Sequence, residues 1–363
     1  MSSARQTLLV ELYIPYCIRE EPFRRQLQLI GSNAEKNAYM EALKRELLSW
    51  EGELENYEVP ALRLSGGSAT VMSPDLLGDL LKTAREILPL MHGAELSVDT
   101  QQLTVGTPSL TGLSAGRPNR MELMIRAGSD AELQALGCSH LTQHVNNAIL
   151  FFNRFHINNY SLSIDLGIPG QTEQSWHNTL HACTIYHPAH IRLQTPEIRD
   201  AEGMPDEETR FTWYRHACEY LKENGYIRYA AGDFCLPQHA CRYTFEALNG
   251  PARLGLGLGA VSMLDGYLTR NTNHPGIYLA HAGDYEKTTA EVYTVETDWR
   301  MRDYAEHRLN APEGLSREDF ASLFDCALPE SLERELNGRA AKGLVRETQT
   351  GFAPSERGLF SAL

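Results

Sequence analysis

The chain has 363 residues, of which 42% are hydrophobic and 22% are charged, and this is an ordinary composition for a soluble globular protein. The length is sufficient for one large core with an appendage, so one or two domains are expected. The net charge of -14 argues against nonspecific binding to nucleic acids or anionic membranes, because phosphate contacts need a surplus of Lys and Arg. The N-terminal residues lack a signal-peptide pattern and no apolar run is long enough to span a bilayer, which predicts a cytoplasmic protein.

Strands and helices alternate through the first 225 residues. The apolar run at 8–14 predicts a strand that ends at Pro15, and residues 36–50 follow with the spacing of an amphipathic helix. The further predicted strands are 61–64, 95–99, 122–125, 160–166 and 190–195, and the further predicted helices begin at Ser73, Asp130, Thr172 and Glu207. This alternation indicates a parallel α/β architecture.

The pattern changes after Gly225. The chain becomes rich in Tyr, Gly and Pro, and 284–303 is acidic. Beyond it, a helix capped by 314–316, a second helix at 332–342 and a ribbon at 344–355 predict a small domain of two helices and a two-stranded wing. Wings often contact DNA, but this segment is not notably basic, which speaks against nucleic-acid binding.

The seven cysteines are irregularly spaced and include no Cys-x2-Cys pair. This pattern is typical of reduced intracellular thiols and not of a disulfide framework. Cys235 and Cys241 are the only close pair, and their spacing matches no common zinc motif.

The segment LYIPYCIREEPFR at 12–24 follows the first predicted strand. Its frame resembles the Cys-x3-Cys-x2-Cys loop with which radical S-adenosylmethionine (SAM) enzymes hold a [4Fe-4S] cluster. Only Cys17 is present here, and Glu21 and Arg24 stand at the other two cysteine positions. Cluster irons are normally held by thiolates, and an Arg side chain offers iron no lone pair. The sequence therefore predicts a degenerate site in which Cys17 is the remaining metal position and cluster binding is lost.

Further segments, in the same order over nearly the whole chain, resemble the oxygen-independent coproporphyrinogen III oxidase and haem chaperone family (HemN/HemW-like) of the radical SAM superfamily. They are LYIPYC at 12–17, SGGSAT at 65–70, IDLGIPGQT at 164–172, GYIRY at 225–229, GLGLGAVS at 255–262, KGLV at 342–345 and PSERGLF at 354–360. The resemblance implies a partial (β/α)6 TIM-like barrel at 1–225, a family-specific extension packing on the barrel at 226–305, and a winged-helix-like α+β domain at 306–363.

The resemblance also implies a SAM pocket at the carboxyl ends of the barrel strands. Gly66 and Gly67 would let the backbone approach the ligand closely, and the strand-end carboxylates of Asp99 and Asp165 would accept hydrogen bonds from it. The implied cofactor contacts are Tyr13, Gly66, Gly67, Ser68, Asp99, Asp165, Ile168 and Gly259. An ordinary tight turn is the alternative for the glycines at 66–67 and for the segment GIPG at 167–170. The segment at 255–260 also matches a dinucleotide fingerprint, but a strand is predicted after it instead of a helix.

Three functions agree with these observations. The favoured hypothesis is a pseudoenzyme of the family that binds no cluster, retains SAM or tetrapyrrole binding and partners an intact radical SAM paralogue. The second is a haem-binding or haem-transfer protein, for which Cys17 and the helical pair His177 and His181 are candidates, although such histidine pairs are more often solvated surface. The third is a divergent SAM-dependent oxidoreductase or methyltransferase that uses Asp99, Asp165 and Arg24. The sequence assigns no catalytic residue.

Overall fold

A computed structural model describes residues 5–20, 23, 26–196 and 202–363. Glu21 and Arg24, the two substituted positions of the cluster loop, lie outside the described residues. Within the described ranges, no helix has the length and apolar character that crossing a membrane requires.

Twelve of the fifteen described strands form one mixed sheet, and three form a second, small sheet. The strands are β1 (Gln6–Ile14), β2 (Tyr57–Gly66), β3 (Leu90–Thr100), β4 (Arg120–Arg126), β5 (Tyr160–Asp165), β6 (His190–Gln194), β7 (Ile227–Arg228), β8 (Asp233–Cys235), β9 (Ala252–Leu256), β10 (Val261–Leu264), β11 (Tyr267–Asn271), β12 (Thr289–Thr294), β13 (Leu315–Ser316), β14 (Val345–Glu347) and β15 (Gly351–Pro354). The order in the large sheet is β12-β11-β10-β9-β1-β2-β3-β4-β5-β6-β8-β7.

The centre of the large sheet is the predicted parallel barrel. Strands β1 to β6 pair in chain order and all run parallel, so their carboxyl ends meet at one edge. Strand β9 adds to the outer side of β1, also parallel, and β10 to β12 continue antiparallel. At the other end, β8 pairs antiparallel with both β6 and β7. The predicted fold class, a partial (β/α)6 barrel, is confirmed.

The helices of the described chain are α1 (Asn33–Leu48), α2 (Pro74–Ile87), α3 (Thr107–Gly116), α4 (Asp130–Ala135), α5 (Thr142–Arg154), α6 (Glu173–Ile185), α7 (Glu207–Glu223), α8 (Arg242–Ala247), α9 (Pro275–His281), α10 (Tyr285–Thr288), α11 (Thr297–Leu309), α12 (Arg317–Phe324), α13 (Glu330–Ala341) and α14 (Glu356–Ser361). Several begin at a side-chain cap. Ser32 caps α1 in a reciprocal box with Glu35, and Asp206 caps α7.

The period of two along each strand separates the core from the barrel lumen. In β1, Leu8, Val10 and Leu12 are fully buried in the main hydrophobic core, which also contains Leu43 of α1. The alternate residue Glu11 instead lines a cavity at the mouth of the barrel. Successive side chains on a strand point to opposite faces, so an apolar outer face leaves the inner positions of the barrel available for polar residues.

The C-terminal segment has a core of its own. Strands β13, β15 and β14 form the small sheet, and Phe320, Leu332 and Phe352 pack together beneath it. The winged-helix-like prediction is thus confirmed. The last helix, α14, returns to the barrel, where the Phe360 ring lies 5.5 Å from the ring of Phe211 on α7.

Candidate functional site

The loops that follow β1 and β2 are locked together at the barrel mouth. The amide of Gly67 donates to the carbonyl of Ile14 at 2.6 Å, and the amide of Ser68 donates to that of Tyr16 at 2.9 Å. A Cβ atom on Gly67 would lie 2.8 Å from Cys17 Sγ and would collide with the carbonyl oxygen of Tyr16. Gly67 is therefore required by this crossing of two backbones, whatever else the loop binds.

Cys17 lies beneath this crossing and is only 1% exposed. None of the seven cysteines forms a disulfide bond. In the part of the chain that the structure describes, no group of three or more His, Cys, Asp or Glu side chains is arranged to hold a metal ion. Cys17 is thus a buried thiol packed at the crossing of the two loops.

A polar cavity of about 230 Å³ opens at the mouth of the barrel, between the ends of β1 to β6. Its lining residues are Glu11, Tyr13, Gln26, Arg63, Ser65, Gly66, Gly67, Asp99, Thr100, Glu122, Met124, Ser163, Arg192 and Gln194. Four of the predicted cofactor contacts, Tyr13, Gly66, Gly67 and Asp99, therefore surround one space. The cavity is smaller than the roughly 300–1,000 Å³ typical of pockets for drug-sized ligands.

Asp99 is held in this wall by an arginine that the sequence analysis did not single out. Arg63 Nη2 lies 3.0 Å from Asp99 Oδ2, and Arg63 Nε lies 3.3 Å from Oδ1. Burial lowers the pKa of Arg63, but the carboxylates of Asp99, Glu122 and Glu11 together raise it well above its ordinary value. The guanidinium therefore stays charged, and Asp99 serves it as a counter-ion.

Asp165 lies deeper and is fully buried. Arg126 Nη2 approaches Asp165 Oδ2 to 2.7 Å, while Gln194 Nε2 donates to Oδ1 at 2.8 Å. Both carboxylate oxygens thus already have protein partners. Asp165 matches the family residue by position, but its acceptor capacity is directed to neighbouring strands.

The remaining predicted contacts lie outside the described wall of the cavity. Ser68 is fully buried, and its Oγ lies 2.9 Å from Thr70 Oγ1 and 3.0 Å from Thr104 Oγ1. Ile168 packs in a small apolar cluster with Leu133. A Cβ atom on Gly259 would collide with the Asn273 side chain. These residues shape the loops around the mouth.

The floor of the lumen contains further ion pairs, one buried and one partly buried. Arg120 Nε lies 2.8 Å from Glu95 Oε2, and Arg192 Nε lies 2.7 Å from Asp233 Oδ1. Glu122 is 6% exposed and interacts electrostatically with both Arg120 and Arg192. Sequence reasoning missed these residues, although one signal was present, because charged residues recur at every second position of otherwise apolar strands, as in RMELMIR of β4.

Comparisons with known proteins find relatives of this chain. The chain is 27% identical over 239 residues to the haem chaperone HemW of Synechocystis sp., a match that covers 63% of this chain and 58% of that protein. It is 22% identical to HemW of Escherichia coli, covering 77% and 79%, and 23% identical to an anaerobic coproporphyrinogen III oxidase of Cereibacter sphaeroides, covering 74% and 65%. The chain is similar to HemN/HemW-like proteins of the radical SAM superfamily.

The solved structure of E. coli coproporphyrinogen III oxidase (HemN), described as a radical SAM enzyme, shares the fold of this HemN/HemW-like chain. The TM-score is 0.84 at 16% sequence identity, with 99% of this chain and 90% of that chain covered. No family model matches the chain. The match to the Synechocystis relative spans less than two thirds of that relative's length.

The two cofactors of the superfamily, the [4Fe-4S] cluster and SAM, differ in how well the residues of this chain suit them. The donor set of the loop consists of one thiol, one carboxylate and one guanidinium, and this set does not suit a [4Fe-4S] cluster. Of the SAM contacts implied by the resemblance, Tyr13, Gly66, Gly67 and Asp99 line one cavity.

The histidine pair of α6 lies on the surface. His177 packs edge-on against Tyr220 with the ring centroids 6.3 Å apart, and His181 Nδ1 lies 3.4 Å from the Tyr220 hydroxyl. Both histidines are exposed. This placement agrees with the solvated helix surface that the sequence analysis preferred for the pair.

Proposed function

We propose that this HemN/HemW-like chain is a cluster-free pseudoenzyme, which has left radical chemistry and acts by binding a ligand or an intact radical SAM paralogue. The observation that carries the proposal is the loop itself, in which Cys17 is present while Glu21 and Arg24 occupy the other two ligand positions. An Arg side chain has no lone pair for iron, and a cluster normally requires thiolates.

The surroundings of Cys17 support the same proposal. Its sulfur packs against Gly67 at the crossing of the two loops and is almost fully buried. Cys17 is accordingly assigned a packing role.

The proposal includes weak binding of SAM at the mouth of the barrel. Tyr13, Gly66, Gly67 and Asp99 surround the mouth cavity, but the cavity measures about 230 Å³ and the Arg63–Asp99 pair occupies its wall. We therefore expect SAM to bind with low affinity. Titration of SAM into the protein by calorimetry measures this affinity directly.

Iron binding tests the central claim. The wild-type chain is reconstituted anaerobically with iron and sulfide beside Glu21→Cys/Arg24→Cys, which restores three cysteines, and Glu21→Ser/Arg24→Ser, which removes both charges without adding thiols. We expect near-zero iron in the wild type and the serine variant, and about four irons per chain in the cysteine variant. A full cluster in the wild type, with cleavage of SAM, would contradict the proposal.

A haem-handling role is the second candidate, and it is favoured by relatives that are named haem chaperones. Cys17 or His177 is the candidate axial ligand. Haem titration of the wild type should then give a Soret band that Cys17→Ser or His177→Ala abolishes. His92→Ala, at an exposed histidine elsewhere on the barrel, is the matched control. An unchanged spectrum in all three variants would remove this candidate.

A further inference from the structure

Three guanidinium groups of the barrel lumen each have a carboxylate of their own. Arg63 pairs with Asp99 at 3.0 Å. The other two pairs, Arg120–Glu95 and Arg192–Asp233, measure 2.8 Å and 2.7 Å. Each of these three arginines therefore has its hydrogen-bonded carboxylate partner, and it interacts with the other acids of the lumen only at longer range.

Two carboxylates remain, those of Glu11 and Glu122. Among the described residues, neither has a Lys or Arg nitrogen within 4.0 Å. Each accepts a hydrogen bond from a serine hydroxyl instead: Ser65 donates to Glu11, and Ser161 donates to Glu122 Oε1 at 2.9 Å. The lumen therefore carries two carboxylates without a bonded counter-charge.

Glu122 supplies a second observation. Glu122 is only 6% exposed, and its Oε2 atom has no hydrogen-bond partner among the described residues. A buried acceptor that lacks a partner is costly, and a buried carboxylate that lacks one is more so. Because Glu122 lines the mouth cavity together with Glu11, a donor placed in that cavity would satisfy it.

The chemistry of the cavity selects the ligand class. The cations on its wall, Arg63 and Arg192, are already neutralised by Asp99 and Asp233, so an anionic ligand would meet two unneutralised carboxylates. Hard metal ions such as Mg²⁺ and Ca²⁺ require about six or more oxygen ligands, and the described residues contain no group of three ligating side chains. An ammonium or guanidinium group, which donates several hydrogen bonds and carries positive charge, matches a carboxylate directly.

We propose that the mouth of the barrel binds a small organic cation, with Glu122 and Glu11 as its carboxylate partners. The cavity of about 230 Å³ admits a short diamine or aminoalkyl guanidine. Two carboxylates favour a dication. This inference does not depend on the proposed loss of the cluster, because none of its residues belongs to the cluster loop beyond β1.

Calorimetric titration of the full chain with agmatine, which carries one guanidinium and one ammonium group, tests the proposal at low ionic strength. We expect saturable binding to one site. The neutral probe 1,4-butanediol and the anionic probe glutarate should give no heat of binding. Binding of butanediol equal to that of agmatine, or no binding of agmatine at millimolar concentration, would overturn the proposal.

Two substitutions locate the site. Glu122→Gln and Glu11→Gln keep the side-chain shape and the serine hydrogen bond but remove the charge, and each should weaken agmatine binding at least tenfold. Glu291→Gln, at an exposed glutamate that pairs with Arg270 on the outer sheet, should leave it unchanged. Equal affinity in Glu122→Gln and wild type would refute the assignment.

A stability readout covers the case in which one variant folds poorly. Agmatine should raise the melting temperature of the wild type in a concentration-dependent manner, and Glu11→Gln should lose this shift even if Glu122→Gln does not fold. Displacement of agmatine by Mg²⁺ in a Glu122-dependent manner would reassign the site to a metal ion and overturn the organic-cation proposal.

Discussion

Arg126 and Asp165 face each other at the ends of β4 and β5 with 2.7 Å between Nη2 and Oδ2, and their side chains are 2% and 0% exposed. Arg126 also adopts a left-handed backbone with φ of +64°. A non-glycine residue in that region is unfavourable, so the surrounding contacts must hold it there. The ion pair therefore links the neighbouring strands β4 and β5 at the mouth of the barrel.

Removal of the arginine should destabilise the fold strongly. Arg126→Met leaves the Asp165 carboxylate buried without its cation, and the expected loss is about 3–5 kcal/mol in the free energy of unfolding. Urea denaturation measures it. The control is Arg302→Ala, which breaks the exposed pair with Glu335 and should cost less than about 1 kcal/mol. Equal losses of unfolding free energy in the two variants would show that the buried ion pair stabilises the fold no more than the exposed one.

Gly67 should not tolerate a side chain. The Cβ of Gly67→Ala would collide with the backbone of the loop after β1, and overpacking of this kind costs about 1–3 kcal/mol. The matched control is Gly338→Ala in α13, where a Cβ meets no atom within 4 Å and the helix should gain about 0.5–1 kcal/mol. Thermal unfolding of both variants compares the two effects, and a stable Gly67→Ala protein would contradict the predicted crossing.

Glu95 should make the protein sensitive to acid. Burial raises the pKa of Glu95, but Arg120 and the amides of Arg242 and Tyr243 outweigh it, so the pKa lies below its ordinary value. A lowered pKa means that the stabilisation is complete above about pH 4.3 and is lost as the pH falls below it. The free energy of unfolding of Glu95→Gln should depend less steeply on pH between 5 and 3. Parallel curves for variant and wild type would disprove this linkage.

Thiol reactivity should distinguish the cysteines. Cys326 is exposed, whereas Cys17 and Cys183 are buried, and burial raises the pKa of Cys241 to about 12. A thiol reagent should therefore label Cys326 first in the native protein, and Cys326→Ser should remove the fast phase. Cys17 should react only after denaturation. Rapid labelling of Cys17 in the native state would show that its packing against Gly67 is wrong.

The regular part of the fold could be predicted from the sequence because its signals are local. The strand expected at 160–166 is observed as Tyr160–Asp165, and the cap expected before α12 is provided by Ser316. Short apolar runs and caps depend on neighbouring residues only. The continuation of the sheet through β9 to β12 was not predicted, because it depends on pairing with the distant β1. The domain boundaries at 225 and 305 stay predictions.

The site was predicted less completely. The pattern of the family located Tyr13 and Asp99 at the mouth, but it gave no indication of Arg63, which occupies the same wall. Arg63 pairs with a residue 36 positions away, and Arg192 with one 41 positions away. Such pairings arise only when strands distant in the sequence come together in the sheet, and a single sequence does not reveal which acid each inward-pointing arginine will meet.

The position of β1 between β2 and β9 has a consequence for synthesis of the chain. Strand β1 is made early, whereas its second neighbour, Ala252–Leu256, leaves the ribosome only after most of the barrel. At about 5–20 residues per second, one edge of β1 stays open for on the order of ten seconds or more. That edge exposes unpaired backbone groups beside apolar residues such as Leu8, Val10 and Leu12, so the nascent protein should depend on chaperones during elongation.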